Sequence, residues 1–259
     1  MLIVTRQGSF LISALLMSMV MGGCIGNTQG ENGLDLVVTY SSTNGTVVES
    51  YEEGERVEVN GVELTFDFSQ TTSDADLTRY GVNFLDGTPG TTIEANEGNA
   101  VTVEFLEHGL HEIALFALDE NGHQVITTVV IRIELRMIWT ELATYEPLPM
   151  PLNSLPNNGG IPPAAILIES IVENPELIEN IGGGQDVEIT WGLIDDTNSA
   201  CQRQEGSVDE GQTASWNTVH FNTYEAHELT VQYEEGQDHI NIHQTVVLQY
   251  EEVETLPNV

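Results

Sequence analysis

Lysine is absent from this 259-residue chain. Its six basic residues are all arginines (Arg6, Arg56, Arg79, Arg132, Arg136 and Arg203), set against 41 acidic residues for a formal net charge of −35. A surface so poor in cations repels nucleic-acid phosphates and anionic headgroups, which excludes nucleic acid as a partner. Like charges also repel one another, and salt screens that repulsion, so the composition fits a protein kept soluble in salty surroundings. Cysteine is nearly as scarce: Cys24 and Cys201 are the only two, too few for a disulfide framework. Catalytic signatures are missing as well. There is no G-x-S-x-G and no His-Glu-x-x-His, and Gly182-Gly183-Gly184 lacks the Lys-Ser/Thr of a phosphate cradle. Apolar residues still make up 40% of the chain, enough to build a core.

Long apolar runs are also lacking, with one exception. Residues 1–24 carry no acidic residue, Arg6 supplies a positive start, and residues 10–21 (FLISALLMSMVM) are apolar. That run is too short to span a bilayer comfortably and has the length of a signal-peptide core. Gly22, Gly23 and Cys24 follow it directly. Met21-Gly22-Gly23-Cys24 resembles the lipobox of prokaryotic lipoprotein signal peptides, with Met21 where that family usually has leucine. The resemblance implies cleavage after residue 23 and lipidation of Cys24, leaving the protein exported and lipid-anchored on the outer face of the membrane. No twin-arginine pair is present, so the general secretory route is expected. Residues 24–33 (CIGNTQGENG) read as a flexible tether. The lysine-free acidic composition with Cys-Ile-Gly-Asn is similar to archaeal surface lipoproteins.

Beyond residue 34 the pattern is period-two alternation between turn signals, the mark of half-buried strands. Val62-Glu63-Leu64-Thr65-Phe66-Asp67-Phe68 and Val101-Thr102-Val103-Glu104-Phe105 show it clearly. Residues 111–118 are apolar on both faces, as in a central strand, and Asn121-Gly122 suits a hairpin turn. Residues 146–163 (EPLPMPLNSLPNNGGIPP) hold six of the nine prolines and read as a linker without strand structure. The expected division is a signal peptide (1–23), a tether (24–33), one sandwich (34–142), a proline-rich linker (143–163), a second sandwich (164–254) and a tail (255–259). The halves share landmarks: His111-Glu112-Ile113 parallels His227-Glu228-Leu229, and the strand from Thr128 parallels the one from Thr245, at offsets of 116 and 117. A tandem duplication would explain them.

Leu64-Thr65-Phe66-Asp67-Phe68-Ser69, then Ser73-Asp74-Ala75-Asp76-Leu77-Thr78-Arg79-Tyr80 and Phe84-Leu85-Asp86-Gly87, resemble a PKD domain. Gly109, the strand to Leu118, Asp119, Gly122 and the strand 127–133 continue the match. The central Trp-Asp-Phe-Gly-Asp-Gly of that family is Val82-Asn83-Phe84-Leu85-Asp86-Gly87 here, a divergent version. The resemblance implies an immunoglobulin-like β-sandwich of the kind found in surface proteins. The second half is Ig-like on weaker grounds, with Trp191 placed to serve as a core tryptophan. The expected fold is therefore all-β, with two tandem Ig-like (PKD-type) antiparallel sandwiches.

Candidate chemistry is thin. Asp74, Asp76 and Asp86 are the oxygen ligands best suited to calcium, the one cofactor the sequence suggests, although aspartates in loops also brace their own turns. His108 with His111, and His239 with His243, invite a metal reading. Two histidines four apart on a strand, however, are separated by about 13 Å of rise, so packing and strand ends account for them better. Cys201 is left as an unpaired thiol if Cys24 is lipidated. The reading that follows is a non-enzymatic surface lipoprotein displaying Ig-like modules to a protein or glycan partner. The alternative is an accessory ligand-binding subunit of an envelope transporter or secreted enzyme complex. A pocket lined with convergent polar groups between the domains would favour ligand binding, and flat, acidic, uniformly solvated faces would favour a spacer or adhesin. The charge balance makes its own prediction: melting temperature should climb from low to molar salt, and a flat profile in thermal denaturation would remove the halophile-type reading.

Overall fold

The computed structural model describes residues 28–29, 33–176 and 185–258, and these hold eighteen strands and no helix. The chain is an all-β protein of packed, mainly antiparallel sheets. Its first half contributes β1 (Thr28–Gln29), β2 (Leu34–Leu36), β3 (Asn44–Glu52), β4 (Glu55–Asn60), β5 (Val62–Asp67), β6 (Thr72–Ser73), β7 (Leu77–Phe84), β8 (Thr91–Glu94), β9 (Ala100–Phe105), β10 (Gly109–Asp119) and β11 (Gln124–Thr144). The second half contributes β12 (Met150–Asn153), β13 (Ala165–Asn174), β14 (Val187–Asp195), β15 (Ala200–Val208), β16 (Gln212–His220), β17 (Ala226–Glu235) and β18 (Ile240–Gln249).

In the first half, β8–β7–β10–β11 form one layer and β5–β9 face it. Two layers packed face to face in this way make a β-sandwich. The inner residues of β5 and β9 (Leu64, Phe66, Val101, Val103, Phe105) are buried and alternate with exposed ones. Phe105 meets Phe84 of the opposing layer edge-on at 5.5 Å, and Phe68 stacks on Tyr80 at 5.1 Å. The apolar-on-both-faces strand is central as expected: β10 pairs with β7 and β11 and is buried over most of its length. Gly122, at φ 82°, closes its hairpin with a bond to the Asp119 carbonyl.

β11 joins the halves. It is 21 residues long, whereas strands usually run about 3–10. Val129, Ile131, Ile133, Leu135, Met137, Trp139 and Glu141 form one unbroken buried stripe along it. Residues 124–133 pair with β10, residues 135–144 pair with β18, and residues 132–140 pair in parallel with β3. A strand has two edges, so β10 and β18 lie end to end along one and β3 lies along the other. The nine-stranded sheet is thus common to both sandwiches, and the second half begins inside β11 at about Leu135. The core is likewise one continuous cluster. Near its end β11 buries a carboxylate: Glu141 accepts bonds from the Trp139 indole at 2.7 Å and the Leu148 amide at 3.1 Å. Losing this acceptor would strand two donors, at about 1–3 kcal/mol each where buried.

Three expectations need correction. The proline-rich segment is not free of strand structure, because Met150–Asn153 is β12 and pairs with β17. Met150 and Leu152 point inward while Pro151 points out, and β12 is an edge strand, where a missing N–H costs no ladder bond. The parallel landmarks do not pair alike. β10 and β11 form a hairpin, but β17 and β18 lie in different sheets: β12 occupies the place beside β17, while β18 pairs with β11 and β13. The C-terminal segment is not a loose tail. Thr255 exchanges bonds with Val130, its carbonyl accepts from the Thr43 hydroxyl, and Asn258 pairs with Tyr40.

Arg132 fastens that return. Its guanidinium binds Glu254 through two nitrogens at 2.9 and 2.8 Å and Glu134 through a third at 2.7 Å. The bonds from Arg132 hold the Glu254 carboxyl down at about 2, against 4.5 for a free glutamate. A depressed carboxylate stabilises the fold above its unfolded value, and the gain is lost as pH falls from 4.5 through about 2. Glu254→Gln should therefore lower the melting temperature at pH 7, and the gap to wild type should close over that acid window. A gap unchanged at low pH would show that this pair does not set the acid response.

Candidate functional site

The structure does not bring the three candidate calcium ligands together. Asp74 and Asp76 precede β7 and Asp86 follows it, and an eight-residue strand separates them by about 26 Å. The Asp86 carboxylate accepts the Thr88 amide at 2.9 Å, while the main chain of Asp74 bonds the Gly33 carbonyl and that of Asp76 accepts the Glu120 amide. Most of the suggested histidines have other partners. His108 bonds the Tyr250 hydroxyl at 2.8 Å, and His111 bonds the Glu107 carbonyl and packs edge-on against Phe105. His239 lies against Tyr145, whereas His243 is an exposed position of β18. Cys24 lies outside the described residues.

Two features stand out instead. The first is an open groove of about 770 Å³ where the halves meet, with Tyr51, Arg56, His108, Met137 and Leu155 among its lining residues. On its β3–β4 side, Glu49 accepts bonds from the Tyr51 hydroxyl at 2.6 Å and from Arg56 at 2.9 Å. Burial, together with the Glu49 carboxylate, pushes the Tyr51 phenol up to about 12, so it stays a donor. Burial also lowers His108 and raises Tyr250, so both stay neutral in the bond that ties the loop before β10 to the residue after β18.

The second is a cluster at the end of the second sandwich nearest the first. There the ligand atoms of Cys201, His220 and His227 lie within 4.8 Å of one another. Cys201 comes from β15 and His227 from β17, both in the four-stranded sheet, while His220 ends β16 in the nine-stranded sheet. The chain crosses between sheets at the turn 209–211, where Gly211 sits at φ 72°. Side chains clamp β15 to β16 after the crossing: Thr218 donates to Gln202 at 2.5 Å, and Gln202 donates to the Val219 carbonyl at 3.0 Å. This places Cys201 beside His220.

A bulge aims the thiol. Leu193 pairs with Gln202 and Ile194 with Ala200, so Cys201 is the extra residue between them. Across β14, Asp195 is the register partner of His227. Asp195 Oδ1 accepts the Thr197 and Ser199 amides and the Thr197 hydroxyl at 2.7–2.9 Å, and these bonds hold its carboxyl below the usual range. Its Oδ2 faces the Cys201 sulfur at 4.0 Å. Burial and the Asp195 charge push the thiol up, and burial pushes His220 down. The His220 and His227 rings meet edge-on at 4.8 Å. His227 is only 3% exposed, yet neither of its ring nitrogens has a hydrogen-bond partner, and His220 Nε2 has none either. Such buried, unmade bonds cost about 1–3 kcal/mol per group.

The sequence reading missed this cluster. One signal was available: Cys201 lies nine residues before Glu210 and His220 nine after Gly211, so a chain reversal at that pair sets them opposite. His227 carries no such mark.

No protein-family model matches this chain, and no curated protein sequence matches it. Among solved structures it is similar, at 10% identity and a TM-score of 0.31, to a protein described by the promiscuous specificity of carbohydrate-binding modules from the β-sandwich superfamily, over 83% of this chain and 97% of that one. It is also similar to tripeptidyl peptidase 2, at 10% identity and TM-score 0.25, over 83% of this chain and 20% of that one. A two-domain protein of unknown function from Bacteroides fragilis matches at 9% identity and TM-score 0.25, over 82% and 94% of the two chains. Likenesses this distant carry no argument about activity.

The Asp195 turn gives a local prediction. Asp195→Ala removes the acceptor of two amides, so hydrogen exchange at Thr197 and Ser199 should speed up by about tenfold, the equivalent of 1.4 kcal/mol. Unchanged exchange would mean that the turn holds without its carboxylate.

Proposed function

We propose that this chain is a non-enzymatic, lipid-anchored surface protein that binds a ligand in the groove between its fused sandwiches. The groove carries this reading. It is open and roughly half walled by apolar side chains, and it gathers a few polar groups in fixed bonds, the make-up of a recognition site rather than of a plain spacer. The shared strand β11 supports it, because a groove between rigidly joined halves keeps its shape without a ligand to order it. The lipobox-like Met21-Gly22-Gly23-Cys24 supports the location, and two acyl chains on one cysteine would hold stably where one would be marginal. A glycan or peptide segment suits a groove that is open along its length. The same site would serve an adhesin or an accessory subunit of an envelope assembly.

The anchor is tested with Cys24→Ser expressed in its native type of host. The variant should move from the membrane fraction to the soluble fraction on cell fractionation. Firm retention in the membrane would sink the lipid anchor and the location built on it.

A further inference from the structure

We propose that Cys201, His220 and His227 form a binding site for a borderline d-block cation of the zinc class, independent of the groove. Three observations converge on it. The three ligand atoms already lie within 4.8 Å of one another, although they come from three strands in two sheets. Four-coordinate zinc with Zn–S near 2.3 Å and Zn–N near 2.0–2.1 Å sets its ligands about 3.4–3.6 Å apart. Exposed Cys201 and half-buried His220 can close that difference by side-chain rotation. The second observation is His227. A side chain buried to 3% exposure, with both ring nitrogens unpartnered and its ring against His220, is placed to give one nitrogen to something absent from the protein itself. The third is the bulge, which takes Cys201 out of strand alternation at the point where its sulfur faces this group.

The donor set fixes the class of ion. A thiolate and two imidazoles suit zinc and its neighbours, whereas calcium and magnesium require an oxygen cage. Three protein ligands leave a fourth position open. Asp195 Oδ2, already 4.0 Å from the sulfur, stands beside it to accept a bond from bound water or to complete the set. The net charge of −35 draws cations to the surface in general, and among the described residues this cluster adds soft and borderline donors to that attraction.

The test uses the full-length protein in detergent, reduced and stripped of metal, titrated with Co²⁺. One equivalent should produce thiolate-to-cobalt charge-transfer absorption in the near ultraviolet and the intense visible bands of a four-coordinate ion. Zn²⁺ should abolish both, and a large excess of Mg²⁺ or Ca²⁺ should leave both intact. Cys201→Ser should remove the charge-transfer band. It and His220→Gln should each weaken zinc binding by more than about 100-fold, beyond the range seen for changes outside the ligand set. Circular dichroism of both variants establishes that they fold, so a misfolding His227 variant does not decide the outcome. Cobalt spectra without a thiolate band, displacement by Mg²⁺, or zinc affinity unchanged in both variants would each overturn the site.

Discussion

The parallel pairing of β3 with the middle of β11 is the constraint from which the rest of the structure follows. It occupies one edge of β11 across the junction, from the Arg132–Asn44 pair to the Thr140–Glu52 pair, and leaves a single edge for everything else. β10 takes the first part of that edge and β18 the second. With β18 held between β11 and β13, neither of its edges is available to β17, and the edge beside β17 is taken by β12. The proline-rich segment is then held as a strand, and the groove forms where that segment passes β3 and the loop before β10. One unbroken stripe of inward side chains, from Val129 to Glu141, makes the arrangement self-consistent, since a slip of one residue would turn the stripe out to solvent in both halves.

Much of this was legible in the sequence. Alternation in 62–68 and 101–105, the doubly apolar strand after Gly109 and the Asn-Gly turn all settle as read, because each is decided locally by the two-residue period and by turn chemistry. β11 was legible only in part. The alternation of Leu135, Met137 and Trp139 continues that of Ile131 and Ile133, which reads as more of the first half, but nothing local shows that this stretch pairs with β18 of the second half. Pro151 concealed β12 because only the edge position, a tertiary fact, makes a proline harmless there. The repeated His-Glu landmarks do fall on strands in both halves, but those strands pair differently, since pairing depends on which edge is already taken.

The candidate site was much less visible. The aspartates that suggested a cation are divided by the length of a strand, while the cluster that the fold assembles joins residues as far apart as Cys201 and His227. Its geometry comes from a bulge, which leaves no compositional trace, and from a crossing between sheets, which the turn at Gly211 marks only as a reversal. In a chain with 41 acidic residues, carboxylates recur along most of the sequence and carry little information, whereas a single thiol near two imidazoles carries a good deal.

The direction of β3 has a mechanical consequence. The chain enters β3 at Asn44, from the N-terminal side, and β11 leaves the junction at Thr144, toward the far end of the second sandwich. Tension between those two points pulls parallel neighbours in opposite senses along their length. Their hydrogen bonds are then loaded in shear and must fail together, whereas a hairpin pulled from its open end unzips one bond at a time. The seam between the two halves is therefore also the element that resists separation of those two points.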